Sequence, residues 1–292
     1  MNLGSLLALV PVERLRNPPP VVAVLRFAGV IGNLGPLRRG LSLAAIADQI
    51  ETAFKMRRLH GVALAINSPG GSPVQAALIA RRIRALAEEK DIPVFAFAED
   101  VAASGGYWLA CAGDEIYAEE SSIIGSIGVV TQGFGFTGLM KRLGVERRLH
   151  TSGEHKAILD PFLSEKPEDV ERLKEIQEDI HGAFKDLVRE RRAGKLQAPD
   201  DELFSGAFWT GQKALDAGLI DGIGDMRGVM REKFGENVKL RQVAGPRPWL
   251  RRRLGLAMGE SETGRGLSDP GDWAAGLLAA VEERLWWGRF GL

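Results

Sequence analysis

Two glycine-rich runs, INSPGGSP (Ile66–Pro73) and AASGGYW (Ala102–Trp108), hold the residues of this chain best suited to chemistry. Small residues let a backbone turn sharply and come close to a ligand. Ser104 sits between alanines and a diglycine, just past an apolar stretch, as an accessible nucleophile would. The diglycine Gly70–Gly71 of the other run offers backbone N–H groups that could hold an oxyanion. Residue types in this pattern suggest acyl transfer, with Ser104 as the attacking group.

A serine hydroxyl needs a base, because it is a weak nucleophile at neutral pH. The candidates are His60, His150, His155, His181 and Lys156. His60 precedes a strand at the end opposite its glycine-rich turn, and His181 falls within a long charged helix, where a solvated surface role is expected. His150, His155 and Lys156 share the run HTSGEHK, which could approach the site. An amine beside a serine loses proton affinity when buried, since desolvation disfavours the charged form. Each pKa unit moved down from about 10.4 costs roughly 1.4 kcal/mol. Spacing alone does not separate His155 from Lys156.

The elements that must position these residues follow from periodicity. Val21–Ile31, Val62–Asn67 and Pro93–Glu99 read as strands, continued by Asp114–Glu119 and Gly125–Gly133. Between them lie helices predicted from Ser42 to Leu59, from Val74 to Lys90 and after Ser104. Alternating strands and helices imply α/β architecture, a parallel sheet with helices on its faces. The near-continuous apolar strands fit burial on both sides. In such sheets ligands bind beyond the carboxyl ends of the strands, where both glycine-rich runs fall. A long charged helix is predicted from Pro167 to Arg192, with further helix within Asp200–Ala217.

Composition sets limits around this picture. Lys plus Arg and Asp plus Glu number 38 each, a balance that argues against a generally basic nucleic-acid binder. The single cysteine, Cys111, excludes an internal disulfide and a multi-cysteine zinc site, and its small-residue surroundings suggest packing. Met1–Val10 is apolar but too short to span a bilayer, and no transmembrane segment is predicted. The expected organisation is an N-terminal extension (1–20), a main domain (21–243), an Arg-, Gly- and Pro-rich linker (244–270) and an amphipathic C-terminal tail (271–292). In the tail, Trp273, Leu277, Val281, Leu285 and Trp286 share a helical face. It reads either as a peripheral membrane contact or as a helix docked on the body or on another subunit.

Five runs, INSPGGS, ASGGYW, GSIGV, SGEHK and WTGQKALDAGLID, occur in the order and approximate spacing of the signal peptide peptidase A family, over about Val21 to Asp225. What the chain resembles is a set of Ser–Lys peptidases on a Clp/crotonase-like fold, a parallel β-sheet core flanked by helices, here with a C-terminal helical extension. The resemblance implies that Ser104 is the nucleophile and Lys156 the general base, and that Ser126 hydrogen-bonds the lysine amine. It further implies an oxyanion hole from the amides of Gly71 and Gly105, with no metal and no cofactor. The single copy of each motif is similar to the short members, which implies a homo-oligomeric ring whose serine and lysine meet across a subunit boundary. Implied substrates are apolar peptides such as remnant signal peptides or membrane-protein fragments. With no transmembrane segment predicted, the expected location is cytoplasmic or peripheral to a membrane. Many bacterial members carry an N-terminal anchor that is not predicted here, and the tail matches no family motif. A crotonase-like acyl-CoA enzyme and a catalytically silent scaffold are the alternatives: neither requires the Ser–Lys pair.

Overall fold

Three apolar runs, rich in Val, Ala, Ile, Leu and Phe, form the centre of an eight-stranded sheet. The computed structural model describes residues 18–32, 40–153, 155–243, 280–281 and 283–292. Most of the N-terminal extension, the linker, and Trp273 and Leu277 of the tail lie outside them. The strands are β1 (Val21–Ala28), β2 (Leu59–Ser68), β3 (Val94–Ala103), β4 (Glu115–Ala118), β5 (Ile123–Gly125), β6 (Phe208–Thr210), β7 (Gly222–Ile223) and β8 (Lys239–Gln242). Their order is β6-β5-β3-β2-β1-β8, with β4 pairing β3 and β7. Pairing is parallel throughout except where β6 runs antiparallel to β5.

Helices cover both faces, as continuous apolar strands require. Leu25, Phe27, Leu64 and Ile66 pack in one cluster with Ile46, Ile50 and Phe54 of α1 (Leu43–Phe54) and Ile79 and Ile83 of α2 (Pro73–Lys90). Val22, Ala63, Phe95 and Phe97 form a smaller cluster with Val229 and Met230 of α8 (Met226–Phe234). Each such Leu, Ile or Phe contributes about 1.5–3 kcal/mol when fully buried. Further helices are α3 (Gly105–Ala110), α4 (Thr137–Leu143), α5 (Pro167–Arg191), α6 (Asp200–Leu203) and α7 (Gly211–Asp216).

The sheet forks beside the glycine-rich runs. β3 pairs β4 through Phe95–Ala98, then β5 through Val101–Ala103. Glu99 and Asp100 belong to neither ladder, and on the other side the β2 register shifts between Ile66 and Ser68. Asn67 bridges the irregularity: its Nδ2 donates to Asp100 Oδ2 at 2.6 Å, and its Oδ1 accepts from the Val101 amide at 3.3 Å.

Several expected boundaries move. The first strand stops at Ala28 because Gly29 turns at φ 97°. The first helix ends at Phe54, short of Leu59. The strand expected at Gly125–Gly133 is instead the short β5, Ile123–Gly125, because Gly125 (φ 108°) and Ser126 (φ 52°) both leave the extended region.

Candidate active site

β3 delivers Ser104 to the sheet's carboxyl edge, and α3 begins one residue later. Ser104 has φ 52° and ψ −120°, a left-handed conformation that costs a non-glycine residue about 1–3 kcal/mol. A strained strand-to-helix turn of this kind projects a nucleophilic hydroxyl clear of the backbone. The turn is held from both sides. The Ser104 amide donates to the Gly125 carbonyl at 2.7 Å, and the Ser104 carbonyl accepts from Trp108 at 3.0 Å.

The diglycine after β2 packs directly on this elbow. A Cβ at Gly70 would lie 2.8 Å from the Ser104 Cβ and 3.1 Å from the Gly105 nitrogen. Gly71, at φ 137°, is pressed on Ile31, whose carbonyl oxygen would stand 2.0 Å from an added Cβ. Ile31 bonds the residues flanking Gly71: its amide donates to the Gly70 carbonyl and its carbonyl accepts from the Ser72 amide, both at 2.8 Å. A parallel bridge of this form leaves the Gly71 N–H pointing the other way. Gly105 is a close neighbour of this loop: an added Cβ there would sit 3.5 Å from the Gly71 nitrogen. The Gly105 amide opens α3 and so has no partner within the helix. Ser68 Oγ steadies the loop by accepting from the Gly70 amide at 3.2 Å.

Ser126 enters from β5. Ala103 and Gly125 are the last register pair of β3 and β5, so Ser104 and Ser126 follow as neighbours on adjacent chains. Ser126 is 5% exposed, and its amide donates to the Ala207 carbonyl at 2.6 Å. The fold therefore brings together Ser104, Ser126, Gly71 and Gly105. It does not bring Lys156 to them within one chain. Lys156 is exposed in a turn, its amide on the Gly153 carbonyl, and no hydrogen bond joins it to Ser104 among the described residues.

Lys156 belongs to an arm that buries little. α4 has no buried residue, and Phe134, Leu139, Leu143 and Val145 are 76%, 53%, 66% and 51% exposed. Phe136 stacks on Phe162 at 5.4 Å, and Arg147 pairs with Asp160 at 3.0 Å, so the arm is organised within itself.

Among the histidines, His60, His150 and His155 are exposed. The surface role expected for His181 is corrected: its ring is half-buried, with Nε2 at 3.2 Å from the Ile127 carbonyl oxygen. The sequence held a signal for this, since Gln177, His181, Phe184 and Val188 follow the spacing of one helical face. Cys111 is fully buried, its thiol pushed up to about 12 by burial, which leaves it inert at neutral pH. Of the two readings of the tail, its described end follows the docked one: Phe290 packs with Val101 and Ala103 and meets Phe208 edge-on at 5.1 Å.

The sequence model of peptidase family S49 matches residues 86–240. A Brucella abortus protein named Na(+)/H(+) antiporter NhaA is 50% identical over 99% of this chain, which covers 39% of that protein. The Arabidopsis thaliana protein named serine protease SPPA, chloroplastic, is 33% identical over 75% of this chain and 33% of its own length. The chain thus spans only about two fifths and one third of these relatives. A solved structure of the 1510-N membrane-bound stomatin-specific protease covers 79% of this chain and all of its own at 15% identity, with a TM-score of 0.48.

Proposed function

The chain belongs to peptidase family S49, and from that premise we propose that it is a serine endopeptidase whose nucleophile is Ser104 and whose general base is Lys156 of a neighbouring subunit. The observation that carries this reading is the Ser104 elbow, with the Gly70–Gly71 diglycine packed against it and against Gly105. In the proposed reaction a neutral Lys156 amine takes the hydroxyl proton as Ser104 Oγ attacks a peptide carbonyl. The Gly71 and Gly105 N–H groups receive the oxyanion, where one donor is worth about 10²–10³ in rate. The ammonium then protonates the leaving amine, and water hydrolyses the acyl-enzyme. Ser126 orients the amine at the moment of transfer.

Supply of the lysine from a neighbour is supported by the arm itself. An apolar segment this exposed is paired with another surface in most soluble proteins, and Lys156 lies within it. A water-excluding boundary also favours a neutral amine. The substrates proposed are extended apolar segments, such as remnant signal peptides or membrane-protein fragments, added as a strand beside the nucleophile. Ion transport is not assigned to this chain. The name of the Brucella abortus relative describes a protein of which the chain covers 39%, and no helix among the described residues is long and apolar enough to cross a membrane.

Mixing the inactive variants Ser104→Ala and Lys156→Ala under subunit exchange tests the shared dyad. Peptidase activity should return in the mixture. Exchange without any recovery of activity would place the dyad within one chain.

A further inference from the structure

α5 runs along both halves of the candidate site. Phe184 stacks on Trp108 of α3 at 4.7 Å between ring centroids, which ties the helix to the element that follows Ser104. One turn earlier His181 meets the carbonyl of Ile127, the residue after Ser126. One turn earlier again, Gln177 Nε2 donates to Thr131 Oγ1 at 3.1 Å. Residues 177, 181 and 184 share a face, so a single rigid helix sets the Ser126 turn relative to the nucleophile's helix.

We propose that His181 is a positioning residue for catalysis, holding the Ser126 turn in the register that the nucleophile requires. The proposal rests on the roles assigned above to Ser104 and Ser126. A carbonyl oxygen only accepts, so Nε2 carries the hydrogen in this contact. Burial of the ring, with Lys185 nearby, holds its pKa below the ordinary value of 6.5, against the opposing pull of hydrogen bonds to the Ile127 and Phe204 backbone. The contact completes a ladder of three bonds around one turn. Ser104 is bonded to the Gly125 carbonyl, Ser126 to the Ala207 carbonyl, and the Ile127 carbonyl to His181. Ile127 is fully buried, so little water can reach its surroundings to replace a lost donor. Without His181 the turn keeps its strand pairing but loses the bond that fixes its far side.

Two variants separate this role from mere packing. His181→Leu keeps the volume and removes the donor; His181→Gln keeps a donor at the same reach. In His181→Leu, kcat and the rate of Ser104 modification by a fluorophosphonate probe should fall roughly 10- to 100-fold, with KM little changed. Amide hydrogen exchange in the peptides containing Ser104 and Ser126 should rise about tenfold in the same variant. His181→Gln should restore both readings to within about threefold. Unchanged rate and exchange in His181→Leu, equal failure of both variants, or a loss that merely tracks a lowered melting temperature would each overturn the proposal. A wild-type protein that takes no label at Ser104 would refute the catalytic reading instead, while the exchange comparison still decides whether His181 holds the turn.

Discussion

Among single residues, Ser104 holds its backbone at a positive φ of 52°. A left-handed φ at a non-glycine position is kept only where the surroundings over-determine it. Here the Gly125 carbonyl, the diglycine and α3 all fix the turn. Removing the hydroxyl should therefore leave the strain in place, whereas removing Cβ should release it. Ser104→Ala and Ser104→Gly are both expected to be inactive, with the glycine variant about 1 kcal/mol more stable to urea. Equal denaturation midpoints would show that the elbow stores no strain. The sequence displayed this position clearly, because alanines and glycines crowd around one serine. It gave no hint that Ile31 is the wall against which Gly71 is pressed, since the two lie far apart in the chain and meet only through the sheet.

At the scale of elements, α5 is read as a solvated charged helix from composition, yet its inner stripe reaches from the site to the rear of the fold. Near its end Arg191 donates to the Cys111 and Gly113 carbonyls. Arg192, 1% exposed just past the helix, donates to the Gly218 carbonyl and pairs with Asp221. Burial alone would raise the Asp221 carboxyl, but hydrogen bonds from Arg192, Lys195 and the Ile116 amide hold it below its ordinary 3.8. An acid whose folded pKa is depressed contributes its stability above the unfolded value and loses it as pH falls through the folded one. Melting temperature should therefore drop below about pH 4, and Asp221→Asn should flatten that part of the curve. An Asn variant with the same acid slope as the parent would remove Asp221 from the account. Periodicity could mark Phe184 and Val188 as buried, but the partner that neutralises Arg192 was not legible, because an ion pair between distant residues leaves no local pattern.

For the whole molecule, the exposed arm carrying Lys156 is the feature that the proposed shared site requires a second copy to cover. Its apolar residues should seal against another copy, and the site should form as they do. Leu139→Glu with Leu143→Glu would place two charges on a helix that buries nothing within the chain, so folding of the body should be spared. Light scattering should report a smaller assembly, and activity should fall with it. A double variant that stays assembled and active would show that the arm does not form the boundary. The strand–helix alternation, the sheet core, the turn at Ser104 and the diglycine were all determined by the sequence alone, because each depends on residue type over a few neighbouring positions. Only the tertiary structure decided which distant segments meet: the fork in β3, the pairing that sets Ser126 beside Ser104, His181 behind that turn, and the tail end against Val101 and Ala103. Such contacts depend on how the chain closes long loops, and pairing energies between remote residues are written in no local periodicity.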